Sequence, residues 1–271
     1  MSNYKPGLTA CLIVLNEEER LPRCLAALAF ADEIIIVDGG SKDRTLQVSK
    51  KHVAPQKLKL LKRQFDDFVQ QKNFAISKAR HEWVLVVDAD EVVTDSLRIE
   101  ISQAIHSSQG DMGYRVPRMT FYLGKWIRHC GWYPDYNVRL FRNGLARFEG
   151  GTVHERAAVQ GSVGTLNSHL EHYSYRNISD HLIRIDLYST LIAEDKFKRG
   201  NWSSPLLALY KSTSKFLLIY IWKRGFLDGR AGFVVAILGA YYNFLKYIKL
   251  WEILKGFRKP GERVRIPRAN D

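Results

Sequence analysis

Residues 83–87 form an uninterrupted apolar run that ends abruptly at Asp88-Ala89-Asp90, two carboxylates two residues apart. A run with no polar alternation, bounded by charge, reads as a strand buried on both faces of a parallel sheet. The carboxylates then sit just past its carboxyl end, where open α/β sheets bind their ligands. Two hard oxygen donors at that rim suit Mg²⁺ or Mn²⁺ bridging a diphosphate. The plain alternative is an acid pair that caps the following turn.

The upstream sequence repeats the pattern. Residues 8–15 (LTACLIVL) run into Asn16-Glu17-Glu18-Glu19, and residues 34–37 (IIIV) run into Asp38-Gly39-Gly40-Ser41-Lys42-Asp43. Residues 58–61 form a weaker fourth run. Between them lie helical patterns. Leu21, Leu25 and Leu28 share one face, with Pro22 tolerated in a first turn. A second helix over residues 45–52 follows Asp43 as its expected N-cap. A third over 67–79 places Phe68, Gln71, Phe74 or Ala75, and Lys78 at helical spacing. Strands alternating with short helices imply right-handed βαβ units, hence an α/β fold with a mostly parallel, Rossmann-like sheet. Polar or acidic residues close three of the strands at the same rim, which points to a site there.

In order and spacing, LIVLNEEERLPRCLAAL, IIIVDGGSKDRT, QKNFAISKA and WVLVVDADE resemble the nucleotide-binding half of family 2 glycosyltransferases with the GT-A fold. Continuing through GWYPDYNVRLFRNG and TVHE, the chain is more narrowly similar to the group that adds a β-linked glucose to the lipopolysaccharide inner core. The resemblance implies that Leu15, Asn16, Glu17, Asp38, Lys72, Asp88 and Ala89 meet the nucleotide sugar. It also implies that Asp90, with Asp88, carries the metal. The family's VDDGSTD stands here as Val37-Asp38-Gly39-Gly40-Ser41-Lys42-Asp43, which leaves Asp38 to make the nucleotide contact alone. Absence of a Gln-x-x-Arg-Trp signature argues for addition of a single sugar rather than processive synthesis.

Inversion at an anomeric carbon needs a base that takes the acceptor hydroxyl proton. By the resemblance this is a carboxylate beyond the metal site, and two candidates fit. Glu155, in Thr152-Val153-His154-Glu155, follows the strand-like stretch 138–142. Asp135, in Trp132-Tyr133-Pro134-Asp135, lies in a turn-prone segment beside aromatics suited to stacking on a sugar. Glu155 is preferred. His154 is a candidate to orient it or to ligate the metal. Arg139 and Arg142 are candidate phosphate contacts, against an ordinary solvated strand face, and Trp132 is a candidate acceptor contact.

The chain of 271 residues is long enough for one α/β domain and an appendage. The reading divides it into a catalytic domain over 1–175 (a nucleotide-sugar half to 110 and an acceptor half over 111–175) and a basic helical region over 176–271. Three scattered cysteines, Cys11, Cys24 and Cys130, indicate a reduced, cytosolic protein. The start MSNYKPG has no apolar stretch, so no signal peptide is expected. Neither a G-x-G-x-x-G after a strand nor a Walker lysine loop occurs, which disfavours dinucleotide oxidoreductases and P-loop enzymes. A nucleotidyltransferase would carry a Gly-rich basic loop after the first strand, where Asn16-Glu17-Glu18-Glu19 stands instead.

The net charge is +13, and residues 200–271 hold 13 Lys/Arg against 4 Asp/Glu. The same stretch contains FLLIYIW (216–222) and AGFVVAILGAYYNFL (231–245), each shorter than the ~18 residues of a spanning helix. Short apolar runs bordered by Trp, Tyr and Lys fit the interface of an anionic leaflet, with Phe216, Leu217, Trp222, Phe233, Val234, Ile237 and Leu238 as expected anchors. A helical subdomain packed on itself, or a non-enzymatic basic membrane- or nucleic-acid-binding module, are the alternatives. The expectation is therefore a metal-dependent, peripheral enzyme on the cytoplasmic face of the cell membrane. It would move a sugar, from UDP-glucose by the resemblance, to a lipid-linked glycan, with no nucleic-acid partner.

Overall fold

The computed structural model of the chain describes residues 6–107, 110–150 and 155–262. They divide into two compact units. One comprises the described residues up to Phe121 with Trp132–Ser174; the other comprises Tyr122–Gly131 and the described residues from Tyr175 onward. The excursion at 122–131, assigned from sequence to the acceptor half, thus groups with the helical residues.

In chain order the elements are β1 (Leu8–Val14), α1 (Leu21–Ala27), β2 (Glu33–Asp38), α2 (Thr45–His52), β3 (Leu58–Lys62), α3 (Phe68–Ile76), β4 (Trp83–Val86), β5 (Glu91–Val93), α4 (Asp95–His106) and β6 (Gly113–Tyr122). There follow β7 (Lys125–Ile127), β8 (Asp135–Arg142), β9 (Ala146–Gly150), β10 (Glu155–Val159), β11 (Val163–Thr165), β12 (Leu170–His172), α5 (Ile178–Lys198), α6 (Pro205–Leu217) and α7 (Gly229–Leu254).

The main sheet runs β3-β2-β1-β4-β8-β6-β12-β5. Strands β3, β2, β1 and β4 are parallel, as the apolar runs predicted. β8 joins β4 antiparallel, so β4 ends the parallel run β3-β2-β1-β4, and parallel pairing resumes where β11 and β12 join β6. The runs lack alternation because both faces are covered. Ile34, Ile36, Trp83 and Leu85 enter one core with Leu21, Leu25, Leu97 and Ile101 of α1 and α4. Their neighbours Ile35, Val37, Val84 and Val86 enter a second with Ala75 and Ile76 of α3. Each of these buried aliphatic side chains stabilises the fold by about 1.5–3 kcal/mol.

Local signals set the helix ends. The Asp67 side chain accepts from the Gln70 N–H and starts α3, which closes at Ile76, short of Lys78. The N-cap of α2 is Arg44, not Asp43. Asp43 instead accepts from both the backbone N–H and the hydroxyl of Thr45, one residue inside the helix.

In the helical unit, Asn177 caps α5, and Ser204 caps α6 with Pro205 in its first turn. A π-helical turn (Leu218–Trp222) and a short 3₁₀ turn (Gly225–Asp228) lead into α7. Gly232 lets α7 lie against that turn, since a Cβ there would overlap the Gly225 carbonyl oxygen. The apolar run at 231–245 proves to be part of a 26-residue helix, so the expectation that the tail is too short to span is corrected. One helical stretch, Gly225–Leu254, is long and apolar enough to cross a membrane by length and composition. It packs against α5 and α6 and buries Val235, Ala236, Leu250 and Ile253. It also carries Lys249, whose Nζ donates to Asp186 Oδ1 (2.6 Å), Thr190 Oγ1 (2.8 Å) and Ser189 Oγ (3.0 Å). These bonds tie α7 to α5, while Phe233, Ile237 and Tyr241 of α7 stay exposed.

Candidate functional site

The parallel strands deliver their loops to one rim, and hydrogen bonds tie those loops together. Asn16, directly after β1, adopts a left-handed conformation (φ 55°) that Asn tolerates better than most residues. Its backbone N–H donates to Ser41 Oγ (2.9 Å), and its side-chain oxygen accepts from the Lys42 N–H (2.8 Å). The Glu17 N–H donates to Thr45 Oγ1 (2.8 Å). Leu15 stands half exposed beside them. Asp38 is 1% exposed, and its carboxylate accepts from the N–H groups of Gly40 and Ser41, so it holds its own loop in shape. Gly40 needs a positive φ (104°), which glycine adopts without strain. Residues 38–41 with Lys62 and Arg63 line a recess of about 370 Å³.

At the end of β4, Asp88 is the hub of a charge network. Lys72 Nζ, projecting from α3, lies 3.2 Å from Asp88 Oδ1 and 2.5 Å from Glu155 Oε1 at the start of β10. Arg139 Nη2, from β8, donates to Asp88 Oδ2 (3.0 Å) and to Glu91 Oε1 (2.5 Å). Lys72 and Arg139 are each 5% exposed or less. Burial works to raise the Asp88 pKa, but the Lys72 ammonium and Arg139 guanidinium outweigh it and hold the carboxyl well below the usual range. Burial likewise opposes the charge on Arg139, and Glu91 and Asp88 more than restore it. Ala89 is buried between the two acids. Asp90 Oδ2 lies 3.4 Å from His172 Nε2 and 3.9 Å from Arg20 Nη1. Burial would raise its pKa, yet the His172 hydrogen bond and charge leave it lowered.

Lys72, Asp88, Arg139 and Glu155 therefore converge, and with Arg118, Tyr136, Phe148 and Arg156 they line a cavity of about 590 Å³. Among the described residues Glu155 Oε2 is buried there without a hydrogen-bond partner. Asp135 does not line this cavity; Arg118 holds it at 2.6 Å. Arg142 is likewise elsewhere, paired with Glu82 and lying 5.0 Å over the Trp83 ring. Residues three apart in a strand point to opposite faces, so Arg139 and Arg142 do not share a site as the sequence reading had them. Trp132 is half buried and outside the cavity lining. His154 lies outside the described residues.

The sequence reading missed Glu91. It is fully buried, and it accepts from the Asp88 N–H (3.0 Å) and from Arg139 while Arg118 approaches at 3.5 Å. Its signal was its place directly after Asp-x-Asp, where an acid followed by two valines cannot remain in a solvated turn. His172 and Arg20 were missed too, being brought to Asp90 by tertiary folding alone.

Among the described residues no cluster of three or more His, Cys, Asp or Glu has the geometry to enclose a metal ion. The donor set nevertheless fits a hard divalent cation that shares its ligands with a substrate, since Mg²⁺ takes one or two carboxylates plus phosphate oxygens. The cavity lining itself carries Lys72, Arg118, Arg139 and Arg156 against Asp88 and Glu155, a basic surround suited to a diphosphate.

Comparison with known proteins bears on this site. Residues 9–115 match the model of glycosyl transferase family 2. The chain is 28% identical to the lipopolysaccharide core biosynthesis glycosyltransferase LpsC of Rhizobium meliloti, over 92% of this chain and 93% of that one. It is also 28% identical to an uncharacterised glycosyltransferase of Rickettsia typhi, over 91% and 87% respectively. The crystal structure of S. aureus TarS in complex with UDP is similar in fold, with a TM-score of 0.50 at 14% identity over 93% of this chain and 91% of that one.

Proposed function

We propose that this chain, a family 2 glycosyltransferase of the GT-A fold that resembles lipopolysaccharide-core enzymes, moves one hexose from a nucleotide diphosphate sugar to a lipid-linked glycan with inversion at the anomeric carbon. The observation that carries this reading is the convergence of Lys72, Arg139 and Glu155 on Asp88 at the carboxyl end of β4. The nucleoside enters the recess beside Asp38, and its diphosphate extends toward Asp88. Glucose from UDP-glucose and a lipopolysaccharide-core acceptor are the assignments favoured by the likeness to LpsC. An enzyme using such an acceptor works at the cytoplasmic face of the membrane.

Lys72 is shared between two carboxylates, Asp88 and Glu155. An arriving diphosphate competes for the ammonium and draws it off Glu155. That leaves Glu155, with its second oxygen already unpaired, free to accept the acceptor hydroxyl proton. Arg139 is pinned by Glu91, so its remaining hydrogen-bonding capacity is preorganised for the charge that builds on the leaving phosphate. Its buried Nε has no partner in the described structure. A divalent cation, held by Asp90 and Asp88, would add Lewis-acid stabilisation of that charge when bound. Asp135, fixed by Arg118 at the rim, positions the acceptor rather than deprotonating it.

Isothermal titration with UDP, with and without Mn²⁺, tests the reading. Binding that tightens with the metal and is lost in Asp90→Asn supports it; indifference to UDP in both conditions removes it.

A further inference from the structure

The helical unit leaves large apolar side chains in solvent on α5, α6 and α7, and the most exposed of them run along α6. Along α6 and its π-helical continuation, Leu206 (80% exposed), Leu209, Tyr210 (65%), Leu217, Ile221 and Trp222 (82%) recur at helical spacing. The opposite side of the same helix is buried, with Ala208 at 0% and Ile219 at 5%. A fold that buries Ala208 completely while leaving Leu206 and Trp222 open has placed its apolar surface on the outside.

The charge around this line is one-sided. From residue 201 to 250 the sequence has seven basic residues and one acid, Asp228. That acid is 2% exposed and is consumed by the N–H groups of Arg128 and His129 and by the His129 ring. Lys211, over the Tyr210 ring, borders the apolar line, and Lys223 and Arg224 follow Trp222 directly, both exposed. Residues 201–250 therefore offer aliphatic and indole groups with a basic border and no exposed carboxylate, which complements an anionic lipid interface. An acidic protein groove would match the border but not a convex aliphatic face of this length.

We infer that the α6 face is a peripheral docking surface for an anionic leaflet, and that α7, packed against α6, does not cross the bilayer. The inference rests on the proposed lipid-linked acceptor only for its biological setting; the surface itself is independent of the transfer chemistry. Of the anchors expected from sequence, Leu217, Trp222, Phe233 and Ile237 are exposed and Leu238, at 8%, packs inward; Leu206, Leu209 and Tyr210 add to the exposed set.

Flotation of the full chain with phosphatidylcholine vesicles, with and without phosphatidylglycerol, tests it. The chain is expected to float only with the anionic vesicles and to be released by alkaline carbonate. Leu206→Ser with Trp222→Ser, both at exposed positions, should lower the vesicle-bound fraction at least tenfold while leaving UDP binding and the circular dichroism spectrum unchanged. Ile99→Ser, at an exposed position on α4, should leave flotation unaltered. Equal binding by the double variant, no flotation, resistance to carbonate, or a dimer that the double variant dissociates would each overturn the assignment. Loss of UDP binding with flotation intact would instead count against the transferase reading.

Discussion

Truncation of Glu91 to alanine exposes how the site is held. Glu91 is fully buried and joins three groups: the Asp88 N–H, Arg139 and Arg118. Removing one partner of a buried ion pair costs about 3–5 kcal/mol because the other charge is left desolvated. Here Arg139 keeps Asp88 and Arg118 keeps Asp135, so the lower end applies, about 3 kcal/mol. For a chain of this size that corresponds to a fall in Tm of roughly 6–12 °C. Glu91→Gln preserves shape and an acceptor for the Asp88 N–H, and replaces charge-assisted bonds with neutral ones. Its cost should be about 1–2 kcal/mol. Thermal and urea unfolding followed by circular dichroism read both values, and UDP titration reads the effect on the site. The alanine variant should lose UDP affinity even at temperatures where it is fully folded, because Arg139 is no longer pinned. An alanine variant within about 0.5 kcal/mol of the parent, which is the range of an inconsequential surface substitution, would refute the reasoning.

Four further outcomes follow from the same geometry. Asp88→Asn and Asp90→Asn should each lower kcat at least 100-fold, about 2.7 kcal/mol, and chelation should abolish transfer until Mn²⁺ or Mg²⁺ is restored; full activity in EDTA sinks the metal assignment. Glu155→Gln should collapse transfer with UDP binding intact, whereas Asp135→Asn should act on acceptor KM, and a reversal of the two exchanges their roles. His181, stacked on Tyr175 and bonded to Tyr122, has its pKa lowered from 6.5 to about 4 by burial and then by Arg184. The unfolded chain therefore binds the proton first, so stability present above pH 6.5 should fall as pH drops toward 4, and His181→Phe should flatten that limb of a urea midpoint-against-pH curve. Gly232→Ala should destabilise the helical unit, because the new methyl overlaps the Gly225 carbonyl; an unchanged melting curve would show that the turn yields freely.

The parallel half of the sheet was legible because burial on both faces removes alternation from β1, β2 and β4, and a strand stripped of polar residues has few other places to go. The acids at its rim were legible for the complementary reason, since charge directly after such a strand must reach solvent or a partner. The reversal at β8 was not, because an antiparallel neighbour leaves no mark on the pattern of β4. Arg139 and Arg142 looked equivalent from sequence, yet strand geometry sends one to Asp88 and the other to Glu82. Glu91 was hidden because its burial depends on guanidinium groups from β6 and β8, far along the chain. The 26-residue length of α7 was obscured by Lys246 and Lys249, which look like an end to the apolar run until Lys249 is seen enclosed by α5.

The proposed chemistry at the rim of β4 is transfer of a sugar from a nucleotide diphosphate donor. A panel of nucleotide sugars incubated with the full chain, Mn²⁺ and lipopolysaccharide-core acceptor tests it directly, with released nucleotide and the glycosylated acceptor both measured. Expected is release of UDP in step with one sugar added per acceptor, with inverted anomeric configuration and loss of both signals in Asp90→Asn. Release of pyrophosphate from a nucleoside triphosphate, with no diphosphate freed from any nucleotide sugar, would contradict it.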